Sequence, residues 1–119
     1  MEVDWSTIKW FKKEEFACRC CGVELMDHFF VKILDGIRYE LQTPMVILSG
    51  YRCEKHDKEV GGKGNHTKGL AADIKCEDAK TRYLLIKYFS DRFARIGIGK
   101  AFIHIDCVED KDPYVCWIY

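Results

Sequence analysis

HTKGLAADIKC, residues 66–76, sets an imidazole at the end of a loop, a glycine at position 69 and then an apolar run interrupted by one carboxylate. Gly69 can adopt the left-handed turn that brings the chain back on itself. Residues 70–76 then read as a strand. Side chains alternate across a strand, so Leu70, Ala72 and Ile74 share a face suited to a core, and Ala71, Asp73 and Lys75 share the other. Asp73 is therefore aimed away from the core, beside an alanine small enough to leave space.

Working outward, MVILS (45–49) is a short, β-branched apolar run and reads as a buried strand. The stretch from Gly50 to Gly69 holds five glycines among charged residues and reads as one long loop. Upstream, Phe30, Ile33, Leu34, Ile37 and Leu41 recur at helical spacing over 28–42, with Asp27 placed to cap the start and Thr43-Pro44 to stop it. Downstream, EDAKTRYLLIKYFSDRF (77–93) reads as a second helix with acidic residues in its first turn. RIGIGK, AFIHIDC and YVCWIY supply three further strands, the first two joined near Gly99-Lys100 and the last two by a polar turn around Asp110 to Pro113. The expected class is α+β, two principal helices on a small, mainly antiparallel sheet.

The 119 residues suit one domain, 1–119, with no room for a second. A hydrophobic fraction of 48% with 32% charged residues is that of a folded rather than a disordered chain. Lys plus Arg and Asp plus Glu each total 19, so no global field favours nucleic acid or an anionic membrane as partner. No apolar run reaches the ~20 residues that cross a bilayer, and the start lacks a secretion signal, so a cytoplasmic origin is expected. The seven cysteines are odd in number, which with no export signal reads as mostly reduced thiols.

AFIHIDC (101–107) carries the second chemical feature. Ile103, Ile105 and Cys107 form one face, and Phe102, His104 and Asp106 the other. Two imidazoles and one carboxylate, His66, His104 and Asp73, make a three-ligand zinc set that leaves the fourth tetrahedral position open, as in catalytic sites. Plain alternatives stand beside it: a hydrogen-bonded structural histidine, Asp73 as a surface carboxylate paired with Lys75 or Lys80, and Asp106 as a carboxylate near a turn.

The series EEFACRCCG (14–22), the helix after it, SGYRCEKHDKEVGG (49–62), HTKGLAADI (66–74), GIG (97–99) and FIHID (102–106) resembles the zinc D-Ala-D-Ala carboxypeptidase family. It is most similar to the compact branch found in phage lysins and bacterial murein-processing proteins. The resemblance implies a Hedgehog-like fold, one zinc ion per chain on His66, Asp73 and His104, and hydrolysis of a peptide bond in peptidoglycan stem peptides by a monomer. It implies action on the cell wall after release. It also gives Arg52 a carboxylate of the substrate or the oxyanion of the intermediate, a role a guanidinium's planar fork suits. The alternative for Arg52 is a loop salt bridge. His56 falls where this branch often has histidine, and is expected to order the loop around the ligands rather than bind zinc.

The chain departs from the family at Gly64, where Ser is common, and at Asp57, where Asn is common. Larger relatives place a catalytic carboxylate three residues before the last zinc histidine, and Ala101 stands there. Asp106 is the expected substitute for moving the proton; the competing role is support of His104 or Arg52 by a hydrogen bond, with Glu109 or another group as base. Cys18, Cys20 and Cys21 bunch together, and Cys53 with His56 can approach them, so a second, structural zinc competes with packed thiols, without the paired CxxC spacing that would settle it. Trp5, Trp10, Phe11 and Phe16 read as core rather than as a glycan groove, and Trp117 as a wall of the site. The rival to the enzyme is a non-catalytic zinc-binding recognition or structural domain of the same fold.

Overall fold

The structure is a computed structural model that describes residues 1–119. Four helices, α1 (Lys13–Phe16), α2 (His28–Leu41), α3 (Glu54–Glu59) and α4 (Ala79–Phe89), accompany five strands: β1 (Ile47–Ser49), β2 (Ala71–Lys75), β3 (Arg95–Ile98), β4 (Phe102–Asp106) and β5 (Val115–Ile118). The class is α+β, as the periodicities predict. The strands order as β1-β2-β4-β3-β5, antiparallel except for β3 with β5.

Helix α2 begins where Asp27 accepts the Phe30 N–H (3.1 Å) and ends at Gln42, which is left-handed (φ 50°). Its buried stripe is Phe30, Val31, Leu34 and Ile37; Ile33, expected inside, is 38% exposed. Val31 and Ile33 sit on opposite edges of the stripe, and the chain covers only the Val31 edge. Asp35 is also buried, because its carboxylate accepts the N–H groups of Lys9 (3.1 Å) and Trp10 (2.8 Å). Those bonds lay the N-terminal segment along α2, so that Ile8, Phe11 and Phe16 enter the core while Trp10 stays outside on Tyr39.

On the helix side of the sheet, Ile47, Ala72, Ile74, Ile96, Ile103 and Ile105 are buried in one cluster with α2 and Phe89 of α4. That cluster leaves the opposite face for Asp73, His104 and Asp106, so the polar residues are gathered by the same alternation that buries the isoleucines.

Two expectations change. The stretch 50–69 is not an unbroken loop: it folds into α3 and a 3-10 turn at His66–Lys68, whose last carbonyls are closed by Gly61 and Gly69 in left-handed conformation. A Cβ on Gly69 would lie 2.1 Å from the Leu25 carbonyl, so contact with the chain before α2 as well as its positive φ demands glycine. The last strand does not lie beside β4. It crosses over to pair in parallel with β3, matching Gly97 to Trp117.

Candidate metal centre

Asp73 and His104 are direct cross-strand partners on the antiparallel β2–β4 pair, which sets their side chains next to each other on one face. His66 enters from the 3-10 turn that precedes β2 and is buried. The donor atoms of the three lie within 4.8 Å of one another. Asp73 Oδ1 is 2.8 Å from His104 Nδ1 and 3.5 Å from His66 Nε2. Lys75 pairs with Glu77 instead of Asp73, at 3.0 Å.

Each imidazole has its other nitrogen occupied. His66 Nδ1 lies 2.8 Å from the Gly50 carbonyl, which can only accept, so the proton sits on Nδ1 and the Nε2 lone pair faces Asp73. His104 Nε2 lies 2.6 Å from Asp106 Oδ2, which likewise holds the proton there and turns Nδ1 to the site. Orientation of a ligating histidine by a carbonyl or carboxylate is a recurrent feature of metal sites. The donor set therefore fits a zinc ion: two neutral imidazole nitrogens, one carboxylate oxygen, tautomers set from outside.

The electrostatics agree. Burial pushes the Asp73 carboxyl up, but hydrogen bonds from His104 and His66, with their charges, outweigh it and hold the group well below the usual carboxylate range. Burial pushes His104 down, whereas its bonds to Asp106 and Asp73 and their negative charge leave it raised. Two carboxylates thus favour positive charge at this point of the sheet.

Arg52 reaches the same place from the end of β1. Its guanidinium pairs with Asp73 Oδ2 (3.3 Å) and Asp57 Oδ1 (3.0 Å), and its Nε–H donates to Ser49 Oγ (3.0 Å). Asp57, noticed in the sequence only as a departure from the family, is the more consequential residue of α3. It is buried, and its other oxygen accepts the Gly64 N–H (3.0 Å). A Cβ on Gly62 would lie 2.1 Å from Oδ1, so the glycines of this loop make room for the carboxylate. The His56 ring makes no hydrogen bond to the ligands; its backbone N–H donates to Cys53 Sγ. A carboxylate four residues before the glycine-rich turn that starts at Gly61 is the one sequence signal that could have found Asp57.

Asp106 is wholly buried behind His104. Besides His104 it accepts the Val108 N–H (3.2 Å) and sits 2.9 Å from Arg95 Nε, an ion pair in which that N–H is not directed at the oxygen. Arg95 also lies over the Trp117 ring, 5.0 Å from its centroid. Trp117, two strands from β4, reaches His104 (ring centroids 5.6 Å) by crossing Gly97, where a Cβ would come within 2.6 Å of the indole.

A cleft of about 260 Å³ opens over the three donors, lined by Arg52, Lys63, Asn65, Phe102 and Tyr119 with Val60 to Gly62. Asp73 is its only carboxylate, and neither Asp106 nor Glu109 lines it. A second depression, of about 330 Å³, lies at Trp10, Arg38 and Tyr39, but it gathers no cluster of titratable groups, and Arg38 there is spent on the Trp10 carbonyl and the Phe11 ring.

All seven cysteines are free. Cys18, Cys21 and Cys53 place their sulfurs within 4.8 Å of one another. Burial pushes the Cys18 thiol up, but N–H groups of Cys53, Cys21 and Cys20 directed at its sulfur, with the Cys53 thiol, bring it down to about 6.

The model of a family described as Peptidase M15 matches residues 9–106, most of the chain, with His66, Asp73 and His104 inside the match and Trp117 and Tyr119 beyond it. No curated protein matches it.

Proposed function

The chain belongs to the peptidase M15 family, the zinc D-Ala-D-Ala carboxypeptidases, and from that premise we propose that it hydrolyses a peptide bond in the stem peptides of peptidoglycan, with His66, Asp73 and His104 as zinc ligands. The family makes it a zinc-dependent metallopeptidase with a peptide or peptidoglycan substrate. The observation that carries the residue assignment is the convergence of three donors whose remaining atoms are already held by Gly50, Asp106 and Arg52. A zinc ion held by His66, Asp73 and His104 would supply Lewis acidity toward water and the scissile carbonyl.

The chain's own residues do the rest. Gly50 and Asp106 keep the two imidazoles in the tautomers that present Nε2 of His66 and Nδ1 of His104. Arg52 holds the outer oxygen of Asp73 and, lining the cleft, offers its cationic edge to a carboxylate of the stem peptide or to developing negative charge. Asp57 fixes Arg52 from the other side. Phe102 and Tyr119 give the cleft aromatic walls. Asp106 acts through His104 as a positioning residue: its oxygens are occupied and turned away from the cleft, which supports the role in holding the histidine over that of proton carrier.

A cleft just under the ~300–1,000 Å³ of small-ligand cavities suits one end or one bond of a short peptide. One domain, 1–119, acting as a monomer and serving as a phage lysin or murein hydrolase, fits this reading. The test is digestion of purified peptidoglycan by the zinc-loaded protein, with and without a chelator, and mass spectrometry of the released ends. New ends only without chelator are expected: free D-alanine marks a carboxypeptidase and cleaved cross-links or opened stem peptides an endopeptidase. No new ends with zinc bound would overturn the proposal.

A further inference from the structure

We propose that Cys18, Cys20, Cys21 and Cys53 form a second metal site, a structural thiolate centre for zinc or a similarly thiophilic ion, separate from the His66–Asp73–His104 site. Three sulfurs within 4.8 Å of one another come from segments more than thirty residues apart, which chance packing of small apolar groups does not require.

The first segment is a tight turn. Cys18 N–H donates to the Val23 carbonyl and Gly22 N–H to the Cys18 carbonyl, both at 2.8 Å, and Gly22 takes φ +76°. This reversal brings the side chains of Cys18 and Cys21, three apart, to one side, as in the cysteine turns of structural zinc sites. The second segment is the start of α3, where Cys53 is the N-cap residue. Backbone donors point at the sulfurs: Cys53 N–H to Cys18 Sγ and His56 N–H to Cys53 Sγ, each 3.4 Å. Such donors stabilise thiolate sulfur, the form that binds metal.

Cys20 lies on the same turn but outside the group of three close sulfurs, and would supply the fourth donor of a tetrahedral set by a shift of that turn as the ion binds. The thiols release their protons to solvent as the ion binds. A disulfide would join two of these sulfurs and strand the others, whereas one tetrahedral ion uses all four. Cys20 and Cys21 are exposed, so apolar burial does not account for them.

The placement gives the centre a task. Beside it Tyr51 N–H donates to the Phe16 carbonyl (2.9 Å), and Gly50 lies so close to Phe16 that a Cβ would come within 2.8 Å of its backbone. The ion would clamp the N-terminal segment to residues 50–53, the stretch that provides the carbonyl holding His66 and the guanidinium holding Asp73.

The test uses the full chain, purified reduced with zinc, and does not depend on hydrolysis. Metal analysis is expected to find two ions per chain in the wild type and one in His104→Ala, with cobalt substitution of that variant giving the intense near-ultraviolet bands of cobalt–thiolate bonds. Cys20 and Cys21, despite their exposure, should resist alkylation until a chelator is added, while Cys116 reacts at once. Cys53→Ser should lose one ion; if it fails to fold, the cobalt spectrum and alkylation map of His104→Ala still decide. No ion in His104→Ala, alkylation of Cys20 and Cys21 unaffected by chelator, or a disulfide among the four in the native protein would each overturn the proposal.

Discussion

Replacing Asp106 with Asn keeps the size of the side chain and removes its charge, which separates a group that holds His104 from one that carries a proton. In the wild type the carboxylate can only accept, so the proton on His104 Nε2 is fixed by a 2.6 Å contact. An asparagine either offers its oxygen, a neutral and weaker partner, or its NH2, which drives the proton onto Nδ1 and blocks that donor. Loss of such a supporting partner costs about 10–100-fold in metal affinity, or about 1.4–2.8 kcal/mol at ~1.4 kcal/mol per factor of ten. The fold is weakened too, because Arg95 loses its anionic partner; with Arg95 retaining the Asp112 carbonyl and the Trp117 ring, the cost falls below the ~3–5 kcal/mol of a fully orphaned buried charge. Zinc competition against a chromophoric chelator measures the first effect, and thermal unfolding the second. Weakened zinc binding, with hydrolysis largely recovered at saturating zinc, is expected. Unchanged zinc affinity with hydrolysis abolished at saturating zinc would refute this reasoning and restore Asp106 as the proton acceptor.

His66→Ala should remove the ion from the hydrolytic site and abolish peptidoglycan cleavage, and chelation of the wild type should do the same reversibly on addition of zinc, as read by metal analysis and released ends. Arg52→Lys retains the charge but not the fork shared by Asp57 and Asp73; a loss of roughly 100-fold in kcat/KM with zinc retained is expected, on the scale of removing one charge-stabilising donor, and unaltered kinetics would exclude Arg52 from the reaction. Gly97→Ala drives a methyl into Trp117 and Tyr119 and should destabilise by about 1–3 kcal/mol in chemical denaturation, the usual cost of overpacking. The pH response of the α4 cap follows from Asp78, whose carboxyl is held below 3.8 by the Thr81 backbone N–H and side chain. A depressed folded value means that the cap contributes fully above pH 3.8 and is lost as pH falls through the lower value. The difference in thermal stability between wild type and Asp78→Ala should accordingly close below that pH; a constant difference would place the effect elsewhere.

Alternation along LAADIKC and AFIHIDC was enough to put Asp73 and His104 on the face opposite the isoleucines, and Gly69 to turn His66 toward them, because side-chain direction in a strand depends only on neighbouring residues. The helix stripe at 30–37 and its Asp27 cap are equally local. Sequence alone also carried the family, since five motifs in order survive without any knowledge of contacts. Other features depended on distant partners. The donors that hold the histidines could not be read from spacing: Asp106 shares a strand face with His104, yet whether it points to the cleft or behind the ring depends on Arg95 across the sheet. Trp117 reaches the site only because β5 crosses to β3 and Gly97 leaves its path open. Asp57 and the three converging cysteines are brought into place by the folding of residues 50–64 against the N-terminal segment. Local periodicity decides which way a residue faces; what it meets there is decided by chain segments far away in sequence, and only the tertiary structure contains them.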